Sequence, residues 1–404
     1  MLQRNLRTAC NLTLVTPPRP APAGAASHRR GIMPRTQRNP RRPRASAASR
    51  TAGDAPATAS RAAPGTLPVD LALQGGGAHG AFTWGVLDRL LEAMASGGPF
   101  HIEGISGTSA GAMNAAVLAT GYAHGGPEGA RRALEQFWRD VAHAGRFSPL
   151  RRTPLDIVLG RWSLDNSPFF MFFDLAARVV SPYDLAPLEF NPLRRLLADH
   201  IDFDGIAACP IQLFITATNV RTGRGRVFRN AEMTADVLLA SACLPMLYRA
   251  IEIDGEPYWD GGYAGNPTIT PLIRETSSCD TILVQVNPVE RTEVPRSARE
   301  ILNRVNEVSF NATLLKELRM ISVLRQVVDA GSSEGRRWAQ MRMHRIASDM
   351  MTTLGYSSKL SAEWDFLAML RDEGRRCAEH FLRTHGADLG RRASFDLDPL
   401  QETI

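Results

Sequence analysis

Three short stretches carry side chains that could do chemistry. In GISGTSAGAMNAA, Gly104 to Ala116, Ser109 stands between Gly107 and Gly111, separated from them only by Thr108 and Ala110. Gly-x-Ser-x-Gly between a strand and a helix is a sharp turn that lifts a serine hydroxyl clear of a sheet for nucleophilic attack. Side chains at the flanking positions would collide with the neighbouring strand or helix, which is the steric reason for Gly107 and Gly111. A helix starting at Ala110 would aim its N-terminus at the hydroxyl, where it favours developing negative charge. The plain alternative is a tight strand-to-helix turn with no chemistry.

The second stretch is GGGAHG, Gly75 to Gly80. One reading is a dinucleotide-binding loop, which expects an acid at the end of the next strand. Glu103 is near, but that strand runs straight into the serine turn and leaves no room for a ribose. The better reading is an oxyanion hole, with the amides of Gly76 and Gly77 facing a substrate carbonyl oxygen. A structural glycine turn remains open. The third stretch is WDGGYAGNP, in which Asp260 precedes Gly261 and Gly262. A serine nucleophile needs a base within hydrogen-bond reach, usually a histidine oriented by a carboxylate. Held close in a dry cleft, a carboxylate can take the serine proton directly while an oxyanion hole absorbs the charge. An Asp-Gly turn acid is the alternative.

The elements that must position these residues follow from periodicity. Residues 69–73 are a short apolar run, read as a buried strand, and from Ala81 the apolar Phe82, Val86, Leu87, Leu90 and Leu91 fall on one helical face. HIEGIS is a second strand and AGAMNAAVLAT a second helix, so the chain opens strand–helix–strand–helix, the grammar of a parallel α/β sheet. An amphipathic helix is expected at 127–143, a buried strand at 211–220 with VFRN as a hairpin partner, and a helix in TADVLLASACL. A hairpin is expected around Asp254-Gly255, and TILVQVNP reads as another buried strand. Helices are expected at about 297–330 and 361–385, with a weaker one at 336–351. Residues 145–200 are rich in Pro, Phe and Leu and do not parse. Their SPFFMFF reads as packed core before it reads as an insertion patch, an acyl-pocket wall or a lid.

Charge is uneven over the 404 residues. Residues 1–66 hold twelve Arg, no Lys and a single acid, Asp54, for +11, so 67–404 carry −5 of the net +6. The mildly acidic body argues against nucleic-acid binding. The Arg-, Ala- and Pro-rich segment 1–66 cannot bury enough apolar surface to offset ordering entropy and is expected to be disordered. A transit peptide, a polybasic lipid-touching arm and an inert tail with Met33 as another start are its readings. The five cysteines form no CxxC pair and no metal spacing, so no metal is expected and a reducing compartment is the simplest setting. No apolar run approaches the length of a membrane span.

The order GGGAHG, GTSAG, DGG resembles the patatin-like phospholipase family, and ASACLPMLYRAIEIDGEPYWDGGYAGNPTITPL resembles its bacterial acyl hydrolases. The likeness covers about 69–275 by motif. More loosely it reaches about 385 through NRVNEVSFNATLLKELRMI and KLSAEWDFLAMLRDEGRR. It implies a three-layer α/β/α sandwich with a mostly parallel central sheet, so that a catalytic domain (67–290) and a C-terminal helical extension (291–404) are expected after the tail (1–66). It implies a carboxylic ester hydrolase acting on fatty-acyl esters of phospholipids or related lipids without metal or cofactor. Ser109 would be the nucleophile, Asp260 the base, and Gly75, Gly76 and Gly77 the oxyanion loop. A cytoplasmic location with peripheral contact to a membrane or lipid surface is expected. One departure stands out: many members carry Arg or Lys where this chain has His79, and a neutral imidazole pulls less on a phosphate. Two rivals stay open. One is a Ser–Asp–His hydrolase using His344, His380 or His385, each expected on a solvated helix face. The other is a non-catalytic module that binds a lipid or granule surface.

Overall fold

LPVDLAL forms strand β1 (Leu67–Leu73) in the computed structural model, which describes residues 65–146, 148–184, 191–329 and 331–400. The expected tail, 1–66, lies almost wholly outside the described residues. From Val69 on, β1 is buried on both faces because both are covered, and its one charged-type residue, Asp70, accepts from Thr276 Oγ1 (2.6 Å). Val69, Leu71 and Leu73 enter one core with Phe82, Trp84 and Leu87, while Ala72 between them enters a second core with Leu272, Ile321 and Met343. A period of two along one strand thus feeds two helical layers.

The other strands are β2 (Phe100–Gly107), β3 (Gln212–Asn219), β4 (Gly225–Phe228), β5 (Ile251–Ile253), β6 (Glu256–Asp260), β7 (Asp280–Val284) and β8 (Arg342–Ile346). They make one eight-stranded sheet in the order β5-β6-β3-β2-β1-β7-β8, with β4 pairing β3 off this path. β8, β7, β1, β2 and β3 run parallel, and β4, β5 and β6 pair antiparallel. This is the mostly parallel α/β/α sandwich that the resemblance implies.

Helix α1 (Gly80–Ala95) and helix α2 (Ala110–Gly145) cover one face. α2 is two helices across a kink at Gly125 and Gly126, where Pro127 starts the second, as the sequence expects. Helices Thr270–Glu275 and Ala298–Val327 cover the other face. The Trp364–His385 helix lies tightly on α1: a Cβ on Gly85 would sit 1.9 Å from Arg371 O, and one on Gly374 2.1 Å from Phe82 O. Among the described residues no helix is long and apolar enough to cross a membrane.

Two expectations need correction. The helix at 336–351 is instead a helix over Ser333–Gln340 followed by strand β8, so the C-terminal segment 291–404 is not purely helical. MRMHRI looks unlike a buried strand because it carries Arg342, His344 and Arg345. Two of those polar groups are absorbed next door, since Arg342 donates to Asp280 Oδ2 (2.6 Å) and His344 Nε2 lies 3.0 Å from Asp280 Oδ1. SPFFMFF caps and opens the Pro168–Val179 helix; of its apolar side chains only Phe170 is buried while Phe172 is 70 % exposed, so the segment is not simply packed core.

Candidate active site

The chain winds one way from β1 to β2 and β3, while β7 and β8 lie on the other side of β1. Where winding reverses, the loops leaving the carboxyl ends of adjacent strands diverge and open a crevice. Gly75, Gly76 and Gly77 leave β1 there, Ser109 follows β2, and Asn287 follows β7. All of them line one cavity of about 350 Å³. The cavity lies at the low end of small-molecule sites, about 300–1,000 Å³. Much of the remaining wall is apolar, with Met113, Phe137, Val141, Leu244 and Phe310.

Ser109 is held at φ 53°, ψ −121° as the N-cap of α2. A non-glycine residue pays strain there, and it stays only where surroundings enforce it. Its amide donates to Ser241 Oγ (3.0 Å), and Ser241 Oγ donates to Thr216 O on β3 (2.8 Å). Gly111 lets α2 approach β1, since a Cβ there would meet Leu73 O at 2.2 Å; a Cβ on Gly107 would sit 2.7 Å from Gly111 O.

The glycine loop presses on the serine. A Cβ on Gly75 would sit 2.8 Å from Ser109 Cβ. The Gly75 amide is taken, donating to Asn266 Oδ1 (2.7 Å). The amides of Gly76 and Gly77 make no hydrogen bond to any described residue and stand at the N-terminal end of the Gly77–His79 turn. Of the three glycines, Gly75 shapes the loop and the other two carry free donors.

Asp260 ends β6 opposite Ala217 of β3. Gly261 permits the approach: a Cβ there would meet Thr216 O at 2.0 Å and Thr108 Cγ2 at 3.0 Å, so the residues beside Asp260 and beside Ser109 touch. Gly262 accommodates the ring of Phe310 in the same way, and its amide donates to Asp260 Oδ1 (2.7 Å). The carboxyl is 1 % exposed, and Oδ2 has no hydrogen-bond partner among the described residues. Burial raises its pKa to about 7, against the pull of the Gly262 amide, the adjacent Ser109 hydroxyl and the charge of Lys359. Ser109 is close enough to exert that pull without closing a hydrogen bond of normal geometry.

Lys359 is the residue that motif reading misses. It lies in the Ser357–Leu360 turn, lines the cavity, and donates from Nζ to Asn287 Oδ1 (2.6 Å). SSKL carries no spacing signal; only packing brings it here. His79, by contrast, does not line the cavity. Its Nε2 lies 2.8 Å from Ser358 Oγ, whose own proton goes to Gly355 O, and its Nδ1 has no partner among the described residues. Burial, with Lys359 and Arg291 nearby, holds it well below the usual histidine range, so it is neutral.

None of His344, His380 and His385 lines the cavity. His344 is not on a solvated helix face: it is fully buried in β8 between Asp280 and Ser394, whose Oγ lies 2.8 Å from Nδ1. His380 is exposed on its helix, and His385 Nδ1 lies 3.0 Å from Asp388 Oδ2. Among the described residues no group of three or more His, Cys, Asp or Glu could hold a metal ion.

Residues 71–273 match the model of a family described as Patatin-like phospholipase. Among solved structures, VipD from Legionella pneumophila is similar at 16 % identity over 80 % of this chain and 68 % of that one, TM-score 0.36. The type III effector ExoU is similar at 17 % identity over 78 % of this chain and 53 % of that one, TM-score 0.26. The ExoU–SpcU heterodimer from the type III secretion system of Pseudomonas aeruginosa matches at 18 % identity over 79 % and 52 %, TM-score 0.27. The chain spans about half the length of ExoU. No curated protein matches.

Proposed function

The chain belongs to the patatin-like phospholipase family, and from that premise we propose that it is a serine lipid acyl hydrolase working through a Ser109–Asp260 dyad. Ser109 Oγ attacks the acyl carbonyl carbon and its proton passes to Asp260 Oδ2. The negative oxygen of the tetrahedral intermediate meets the free amides of Gly76 and Gly77. Collapse expels the alcohol, which takes the proton back from Asp260. Water then attacks the acyl-serine, Asp260 accepts its proton, and the fatty acid leaves as Ser109 is reprotonated. Every step uses residues of this chain and water.

The observation that carries this reading is a buried carboxylate with one unpartnered oxygen beside a serine held in a strained turn. Burial does what a general base near neutral pH requires, bringing its pKa towards the working range. The apolar wall suits an acyl chain. The triad reading loses support because His344 is committed to Asp280 and Ser394.

Peripheral contact with a membrane or lipid surface is part of the proposal. Exposed Phe172, Leu175 and Val179 on one helix, with Leu155 and Val158 just before it, support it. The described cysteines, Cys209, Cys243, Cys279 and Cys377, are free, which supports a reducing, cytoplasmic setting. A fluorophosphonate probe with short and long acyl esters beside phospholipids tests the activity. Labelling and hydrolysis are expected in the wild type and absent in Ser109→Ala. Wild-type protein that neither labels nor cleaves any ester would leave only the binding-module reading.

A further inference from the structure

The cavity holds a charge for which the dyad has no use. Among its described lining residues Asp260 is the only acid and Lys359 the only cation. The glycine loop brings no charge of its own, since His79 faces Ser358 and is neutral. The Ser357–Leu360 turn is seated directly on that loop, because a Cβ on Gly77 would meet Lys359 O at 2.5 Å. Asn287 fastens the arrangement. Its side-chain carbonyl accepts from Lys359 Nζ (2.6 Å) while its amide group donates to Gly75 O (2.7 Å). The Asn287 backbone amide donates to Gln74 Oε1 (2.8 Å), fixing the asparagine at the end of β7. The ammonium is thus built into the frame of the oxyanion loop, 5.5 Å from the ring centroid of Tyr356.

We propose that Lys359 is the electrostatic residue of this active centre: its ammonium favours the ionised form of Asp260 and stabilises the negative charge that develops when Ser109 attacks an ester. This rests on the Ser109–Asp260 reading. No bond to Lys359 forms or breaks; it acts as a fixed positive charge in a cavity with a largely apolar wall, where charge is screened less than in bulk water. The groups around it sort by partner. Glu307, on the Ala298–Val327 helix, is engaged by Arg291 (2.6 Å) and Arg304 (3.2 Å). Glu307 still supports the Lys359 proton, more than Asp260 does, and Arg291 opposes it; Tyr356 offers its ring, and His79 is neutral. Burial lowers the Lys359 pKa to about 8, so the cation is present at neutral pH and lost above it.

The working form therefore has Asp260 ionised and Lys359 protonated. The test is the pH profile of kcat/KM on a short-chain p-nitrophenyl ester, followed at the isosbestic wavelength, for wild type, Lys359→Arg, Lys359→Met and Ser109→Ala. The wild type is expected to rise through about pH 7 and fall through about pH 8. Lys359→Arg should keep activity within about tenfold at pH 7.5 and lose the alkaline fall, because a guanidinium stays charged throughout. Lys359→Met should lose on the order of 10- to 100-fold, mostly in kcat, and its acid limb should move upward, because Asp260 loses a neighbouring positive charge. An alkaline fall unchanged in Lys359→Arg overturns the proposal, and this readout does not depend on whether Lys359→Met folds. Wild-type kinetics in Lys359→Met overturn it too. If Ser109→Ala is inactive and the lysine variants are unaltered, only the role of Lys359 falls; if Ser109→Ala stays active, the dyad falls with it.

Discussion

Asp260 is a carboxylic acid placed where its ionised form is costly. Its pKa of about 7 lies above the ordinary 3.8, so the native state holds this proton more tightly than the unfolded chain does. The sign follows from linkage: the group costs no stability below about pH 3.8, and its cost grows until the pH passes 7. Asp260→Asn should therefore lose at least about 10³-fold in kcat while raising Tm at pH 8, and the gain should shrink at pH 5. Thermal unfolding at the two pH values checks it; a Tm gain equal at both would contradict the linkage. These residues were legible in the sequence because their constraints are local. A serine between glycines and a carboxylate before two more are short patterns with steric causes. Lys359 was not legible, because nothing within SSKL tells that a loop some 280 residues earlier will rest upon it.

At the scale of elements, the glycine-bounded turns and β8 show opposite cases. Gly111 lies between α2 and β1, where a Cβ would come within 2.2 Å of Leu73 O, so Gly111→Ala must push two core elements apart. It is expected to cost about 3 kcal/mol or more, read as lost soluble yield or a large fall in Tm. The strand β1, the serine turn and the first half of α2 could be read because apolar period and glycine position agree. β8 could not, because its polar residues look solvated until Asp280 is set beside them. That pairing makes His344 a structural residue. Asp280, whose pKa is lowered to about 2 by His344, Arg342 and the Gly390 amide against its burial, contributes stability above pH 3.8 that is lost as pH falls towards 2. His344→Ala should cost about 1–3 kcal/mol in stability while ester hydrolysis by the folded fraction stays near wild type. Urea unfolding alongside kcat separates the two.

Over the whole molecule, the site is assembled from distant parts of the chain: the loop after β1, the turn after β2, the end of β6, the loop after β7 and the Ser357–Leu360 turn. The family match ends at residue 273, yet β8 pairs β7, and the Trp364–His385 helix seals α1. That helix is also tied by charge, with Arg375 Nη2 2.8 Å from Glu92 Oε2 and Glu379 Oε2 2.5 Å from Arg89 Nε. We propose that a chain cut after residue 290 does not fold as an independent catalytic domain, because it strips a helical cover and a strand partner at once. Expression of residues 67–290 should give protein without a cooperative thermal transition; a cooperative, active fragment would contradict this.

The central claim, a serine primed by an aspartate, is tested most directly by the rate of fluorophosphonate labelling at pH 7.5 in wild type, Ser109→Ala, Asp260→Asn and His344→Ala. The account predicts labelling that vanishes in Ser109→Ala, slows by at least about 10²-fold in Asp260→Asn, and persists in folded His344→Ala. Labelling of Asp260→Asn at the wild-type rate, or its loss in folded His344→Ala, would contradict it.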